Sequence, residues 1–232
     1  MTKSMYALVI FFVVASLLWF LYSWLPVRNI EEPKYEVVSK NESYEIRKYD
    51  SYIIAETKIT GAKNRDDAAR KGFPIVAGYI FGDNTSKTKI AMTAPVSSEE
   101  GTSEKIAMTA PVNAEKVTSE KISMTVPVNT ESEQDSDTYK ISFVMPSKYS
   151  REDLPEPNDS RVTLVEVPSR KVAVRRFSWS SSEENFKKQE SILLASLERD
   201  EVQAAGAVNV ARYNTPWTIP FMLRNEVQIN IK

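Results

Sequence analysis

The stretch from Ile46 to Ile80 reads IRKYDSYIIAETKITGAKNRDDAARKGFPIVAGYI. It starts as a short strand, turns near Asp50, and continues as a second strand rich in β-branched residues. A polar break follows, then a helix opened by Asn64, an N-cap acceptor set ahead of the acids Asp66 and Asp67. Ala69, Phe73, Val76 and Ile80 recur at helical spacing, with Gly72 and Pro74 predicting a kink or break among them. At an offset of 118 residues, with no gap, Leu164–Glu198 reads LVEVPSRKVAVRRFSWSSSEENFKKQESILLASLE and repeats the pattern. Its turn lies at Pro168, and Ser182 caps a helix whose apolar face is Phe186, Ile192, Leu193 and Leu197.

Strands follow each helix. Tyr139–Met145 (YKISFVM) belongs to the first half, and Ala207–Tyr213 (AVNVARY) and Glu226–Ile231 (EVQINI) to the second. The fold class expected is α+β: two duplicated β-α-β-β halves, about 35–150 and 160–232, forming a distorted antiparallel barrel or sheet with two flanking helices. The segment SREDLPEPNDSR connects the halves. It lacks the spacing and central glycine of a calcium loop.

An insertion at 97–138 interrupts the first half, inside a phrase said three times. Lys89–Val96 and Lys105–Val112 both read KIAMTAPV, and Lys121–Val128 reads KISMTVPV, each copy 16 residues after the last. Ile90, Met92, Ala94 and Val96 alternate with other residues, which is strand spacing with one apolar face. The proline marks a strand end or edge. Either the copies form an extra meander, or one occupies the sheet and the others project. Met92, Met108 and Met124 read as core packing; their chemical alternative is a thioether against a flat apolar cofactor.

Tyr6–Leu25 carries no charge across 20 residues, a length that spans about 30 Å as a helix and so matches a bilayer core. Aromatics cluster toward its ends, and Pro26 stops it. No A-x-A-like site follows, which favours an uncleaved single-pass anchor over a signal peptide. The organisation is then a flank at 1–5, a transmembrane helix at 6–25, a linker at 26–34 and one domain at 35–232. Lys3 on one side and Arg28 and Lys34 on the other give a weak orientation signal, read as placing the soluble domain outside the cytoplasm.

The chain of 232 residues has 30 basic and 31 acidic side chains, so no basic excess points to nucleic acid. It has neither cysteine nor histidine, which removes thiol catalysis, serine–histidine hydrolysis and histidine-held zinc or haem iron. No pair of acids has a convincing acid–base arrangement, so no enzyme activity is expected.

The phrase KIAMTAPV, the opening YEIRKY at Tyr44–Tyr49, SFVMPSKYSREDLPEPNDSRV at Ser142–Val162 and ARYNTPWTIPFMLRNEVQI at Ala211–Ile229 together resemble the SOUL/haem-binding protein family over residues 35–232. The resemblance implies haem or another tetrapyrrole in an apolar groove beside a helix. Where some members present a histidine, this chain has Lys48, so haem would be held without one, and the metal ligand is left open between Met92, a tyrosine such as Tyr79, and Lys48 itself. The implied cofactor wall is Phe73, Val76, Tyr79, Ile80 and Met92; the implied rim for the propionates is Arg47, Lys48, Lys71 and Lys89. The competing reading of each is ordinary core or a solvated face. A general small-molecule module, similar to gyrase-inhibitor-like domains, is the alternative function. Trp217, between prolines, reads as a pin for the C-terminal loop, with stacking on a ligand as the alternative.

Overall fold

A computed structural model describes residues 3–24, 30–86, 119–132, 137–215 and 217–232. Helix α1 (Lys3–Trp24) is followed by β1 (Tyr35–Lys40), β2 (Glu45–Tyr49) and β3 (Tyr52–Ile59), then α2 (Arg65–Ile80) and the short β4 (Asn84–Thr85). Next come β5 (Val128–Ser132), β6 (Tyr139–Val144), the short β7 (Glu156–Pro157), β8 (Thr163–Val167) and β9 (Arg170–Phe177). Helix α3 (Glu183–Arg199), β10 (Ala204–Arg212), a 3-10 turn at Pro220–Met222 and β11 (Asn225–Ile231) complete the chain.

Nine strands form one curled antiparallel sheet in the order β1-β2-β9-β11-β10-β5-β6-β3-β8; β4 and β7 pair apart from it. The turn at Asp50 is not a hairpin. β2 pairs with β9 and β3 with β8, so each strand pair of one stretch is split to grip the pair of the other. The 118-residue offset seen in the sequence also relates the bounds of β2 to β8 and of β3 to β9, and the starts of α2 and α3. Residues at that offset touch: Arg170 Nη2 donates to the Tyr52 hydroxyl at 2.7 Å, and Arg65 Nη1 to Glu183 Oε1 at 3.4 Å.

Both helices begin where the caps predict. Asn64 accepts from the Asp67 amide at 2.8 Å and Ser182 from the Asn185 amide at 3.3 Å, satisfying N–H groups that a helix start leaves orphaned. Helix α2 covers one half of the sheet, where Val76, Tyr79 and Ile80 pack with Ala55, Phe143 and Leu154. Helix α3 covers the other, with Phe186, Leu193 and Leu197 against Val208, Val210, Val227 and Ile229. The expected break in α2 does not occur: the helix runs through Gly72 and Pro74. Gly72 has a packing reason instead, since its backbone lies so close to β6 that a Cβ would stand 2.5 Å from Ile141 Cγ1.

Two of the three phrases, with Met92, Met108 and Lys89, lie outside the described residues. In the third, the expected strand with one apolar face is corrected. Ile122 and Val126 are buried, but so is Thr125, and Met124 is 44% exposed rather than in the core. Here the chain runs as an irregular extended segment. Ile122 N–H donates to the Ile80 carbonyl, Thr125 donates to the Val144 carbonyl, and regular pairing begins only at Val128, after the proline.

Among the described residues no helix is long and apolar enough to cross a membrane. The apolar run of described side chains in α1 is Leu8–Tyr22, every one of its large apolar residues exposed.

Gly72→Ala tests the close approach of α2 to the sheet. Alanine gains up to about 1 kcal/mol of helix propensity. The contact with Ile141 costs more, about 1–3 kcal/mol for overpacking, because the 2.9 Å approach to Ile141 Cβ involves an atom that cannot swing away. The expected outcome is a lower melting temperature by circular dichroism, and an unchanged or raised one refutes the packing account.

Candidate functional site: a cavity at the mouth of the sheet

A cavity of about 520 Å³ opens at one end of the sheet. Four stretches converge on it: 31–34, which leads into β1; 50–53, the turn between β2 and β3; Thr125 in the third phrase; and 144–152, the end of β6 and the loop after it. Glu166 of β8 closes one side. The volume lies within the roughly 300–1,000 Å³ of small-molecule sites.

Tyr52, Ile53, Val144, Met145, Pro146 and Tyr149 give the cavity an apolar and aromatic wall. The wall is braced from behind. Met145 N–H donates to the Ile53 carbonyl at 2.7 Å, tying β6 to β3 just past their ladder. Arg170 holds the Tyr52 hydroxyl. The Tyr149 hydroxyl donates to Glu120 Oε1 at 2.6 Å; burial first, then that carboxylate, push this phenol above its ordinary value of 10.0, so it is a protonated donor at neutral pH. At the rim, Ser147 N–H donates to Glu31 Oε1 at 2.8 Å.

The charged lining is unbalanced, with carboxylates at Glu31, Glu32, Asp50, Glu152 and Glu166 against cations at Lys34 and Arg151. Glu32 is neutralised by Arg224 at 2.7 Å. That contact starts a chain of charges leading inward. Arg224 Nε donates to Glu226 Oε1 at 3.1 Å, and Arg47 Nη1 reaches Glu226 Oε2 at 3.1 Å while its Nη2 holds Glu45 at 2.8 Å. Tyr213 and Gln228 complete the shell of Glu226, donating at 2.8 and 2.9 Å. Burial would raise the Glu226 carboxyl, but the two guanidinium groups and these hydrogen bonds outweigh it and hold the group below its ordinary value of 4.5.

The residues singled out in the sequence lie elsewhere, one layer away. Val76, Tyr79 and Ile80 are buried in the α2 cluster, and Tyr79 donates to the Pro155 carbonyl at 2.9 Å. Met145 belongs to that cluster too, with Ile53 and Tyr149 packed against it. The cluster is thus the back of the cavity wall; a second opening, of about 440 Å³, lies at the starts of α2 and α3, lined by Arg65, Ser132, Tyr139, Glu183 and Glu190. Phe73 is 41% exposed at the margin of the α2 cluster, its ring 5.3 Å from that of the buried Phe143. Arg47 is a buried partner of Glu226, not a free rim cation. Lys48 is exposed on β2, and Lys71 is exposed with its amine 2.7 Å from Asp67. Trp217 does not pin its loop by burial: it is 76% exposed. The cavity residues were missed although the stretch Ser142–Val162 carries several of them. Its signal was local, an aromatic and a thioether flanking a proline turn straight after a buried strand.

A curled antiparallel sheet with two helices on one face is also the fold of the EcmrR C-terminal domain, which superposes with a TM-score of 0.54 at 7% identity over 85% of this chain and 98% of that one. The sequence is more specific. Residues 30–230 match the family model "SOUL heme-binding protein". The chain is 31% identical to heme-binding protein 2 of Mus musculus over 191 residues, 80% of this chain and 76% of the relative. With heme-binding protein 2 of Homo sapiens it shares 32% over 179 residues, 75% and 71% of the two chains. The chain belongs to the SOUL haem-binding protein family.

Two outcomes test the charge chain. Glu226→Ala leaves two buried guanidinium groups without their carboxylate and should cost about 3–5 kcal/mol in denaturant unfolding. Because the Glu226 carboxyl is held low in the folded state, its stabilising share is complete above its ordinary 4.5 and lost as pH falls through the lower folded value. The wild type should therefore lose stability below about pH 4.5 more steeply than Glu226→Gln, and equal slopes refute the assignment.

Proposed function

We propose that this protein is a membrane-anchored binder of haem or a related tetrapyrrole, working in binding, buffering or transfer rather than catalysis. One observation carries the reading: a domain of the SOUL haem-binding family has an open cavity of about 520 Å³ with an aromatic and thioether wall. The residues present fit the group. A flat macrocycle would lie against Tyr52, Ile53, Met145 and Tyr149, gaining roughly 25 cal/mol for each Å² of apolar surface removed from water. Lys34 and Arg151 are the cations within reach of carboxylates at the rim. Bound haem would supply the iron and its electron chemistry. The chain would supply the walls, the exclusion of water and a non-histidine contact to the metal, for which the Met145 thioether has a suitable donor atom.

The anchor and the duplication belong to the same proposal. No charged residue lies between Lys3 and Arg28, and α1 is helical over Lys3–Trp24 with its described large apolar side chains exposed. We read 6–25 as a single span, 26–34 as the linker and the domain as extracytoplasmic. The shared 118-residue offset of strands and helix starts supports two copies of one unit.

A second reading rests on the carboxylate surplus around the cavity, which suits an apolar cation better than a dianionic porphyrin. Under it the protein is a general small-molecule module.

Titration of the full chain in micelles with haemin should give a shifted Soret band and a stoichiometry near one. Tyr149→Ala and Met145→Ala should each weaken binding about tenfold or more, the equivalent of roughly 1.4 kcal/mol or above, while Phe73→Ala leaves it unchanged. A spectrum of free haemin throughout refutes tetrapyrrole binding. Weakening by Phe73→Ala alone would return the ring to α2. Thermal stabilisation by a quaternary ammonium amphiphile without any by haemin would favour the second reading.

A further inference from the structure

The C-terminal loop Asn214–Met222 reads NTPWTIPFM and carries no charge. The domain places it beside the last turns of α1. Trp19 Nε1 donates to the Trp217 carbonyl at 3.0 Å, and the Ile219 N–H donates to Ser23 Oγ at 3.1 Å. These helix positions are four residues apart, so the loop follows α1 over about 6 Å of its axis. Trp217 is 76% exposed and Phe221 54% exposed. Trp179, at the end of β9, is 69% exposed with its ring 6.2 Å from that of Phe221.

Trp179 holds this place at a cost. Its φ is 77°, a left-handed backbone that a bulky side chain adopts only under constraint, here its N–H donating to the Pro220 carbonyl at 2.8 Å. Strain that holds a large indole out of the surface, not into a core, is not explained by folding. The loop also turns its backbone polar groups on itself. Thr218, Met222 and Leu223 N–H groups donate to the carbonyls of Thr215, Ile219 and Pro220. Together with Trp19 and Ser23 they leave the segment suited to a place poor in water, where an unpaired amide is costly.

We propose that Trp179, Trp217 and Phe221 form a footing that seats the domain on the lipid surface around the end of α1. The inference rests on the reading of α1 as an anchor. The occupant follows from continuity: the footing is bonded to the last two turns of a helix that carries no charge after Lys3, so the lipid around that end of α1 is what the three rings meet. Amphipathic rings gain there from both sides, a buried body and a wet N–H edge. The footing would fix the domain's tilt, holding it against the bilayer in place of free swivelling on the linker.

The absence of cysteine makes the test direct. Single-cysteine chains Phe221→Cys and Glu198→Cys, the latter at the exposed far end of α3, are labelled with a nitrobenzoxadiazole dye and reconstituted into phosphatidylcholine vesicles. Flotation of the vesicles reports the anchor by itself. With the anchor in place, the dye at 221 should shift to the blue and lose most of its emission to nitroxides carried near the lipid headgroups, and the dye at 198 should do neither. Adding Trp179→Ser and Trp217→Ser should return the dye at 221 to a water-like spectrum without affecting flotation. A chain that does not float removes the anchor reading. A chain that floats with the dye at 221 still in water overturns the footing, and so does a blue-shifted dye that lipid-borne nitroxides do not quench, which would mean a protein contact.

Discussion

One carboxylate ties the architecture together. Glu226 lies on β11 with none of its surface exposed, on the face of the sheet away from the helices. Arg47 reaches it from β2, Arg224 and Tyr213 from the loop before β11, and Gln228 from its own strand. A lone buried charge of this kind would cost several kcal/mol, so its partners must be in place for the sheet to close. Arg47 sits one strand beyond β9, and its long side chain crosses that strand to reach Glu226 on β11. Arg224 also holds Glu32, in the segment leading from α1 to β1. The same ion group thus joins β2, β11, the C-terminal loop and the entry of the chain into the domain.

That constraint accounts for the position of the cavity. Under α2 the sheet is packed by Tyr79 and Phe143 and under α3 by Phe186 and Leu193, while the two helix starts leave a second opening with a charged lining of Arg65, Glu183 and Glu190. On the opposite face the charged cluster fills the space near β2 and β11. Room is left at the end of the sheet, where the turn after β2, the entry segment and the loop after β6 meet without a helix over them. The floor is therefore the back of a rigid core and the rim is loop, an arrangement in which a binding wall stays put while its edge varies.

Local features were legible in the sequence because local physics decides them. The caps Asn64 and Ser182 and the apolar faces of α2 and α3 follow from spacing along one element. Pairing was not legible. Nothing between Ile46 and Ile59 says that the turn at Asp50 separates two strands that go to different neighbours, since periodicity states which face a strand buries and not what lies beside it. The site failed for the same reason. Val76, Tyr79 and Ile80 have the pattern of a wall, and they are one, but a ligand groove and a packed core share that pattern. Only the assembly of Glu31, Tyr52, Met145 and Tyr149 from separate stretches distinguishes them.

Charge then bears on what such a cavity selects. Apolar area makes any flat ring welcome, so the wall sets size more than identity. Identity falls to the rim, where Glu32 is already neutralised by Arg224 and the remaining carboxylates face Lys34 and Arg151. A dianionic ring must place its two acids on those two cations or meet repulsion, which fixes one orientation. The same cations lie on different segments, Lys34 beside β1 and Arg151 in the loop after β6, so an anionic ligand that engages both also bridges the entry segment to the sheet. On the proposed reading, binding would be coupled to the seating of the domain at the end of α1 through the stretch 30–34, because Glu32 in that stretch is held by the same Arg224 that joins the buried ion group.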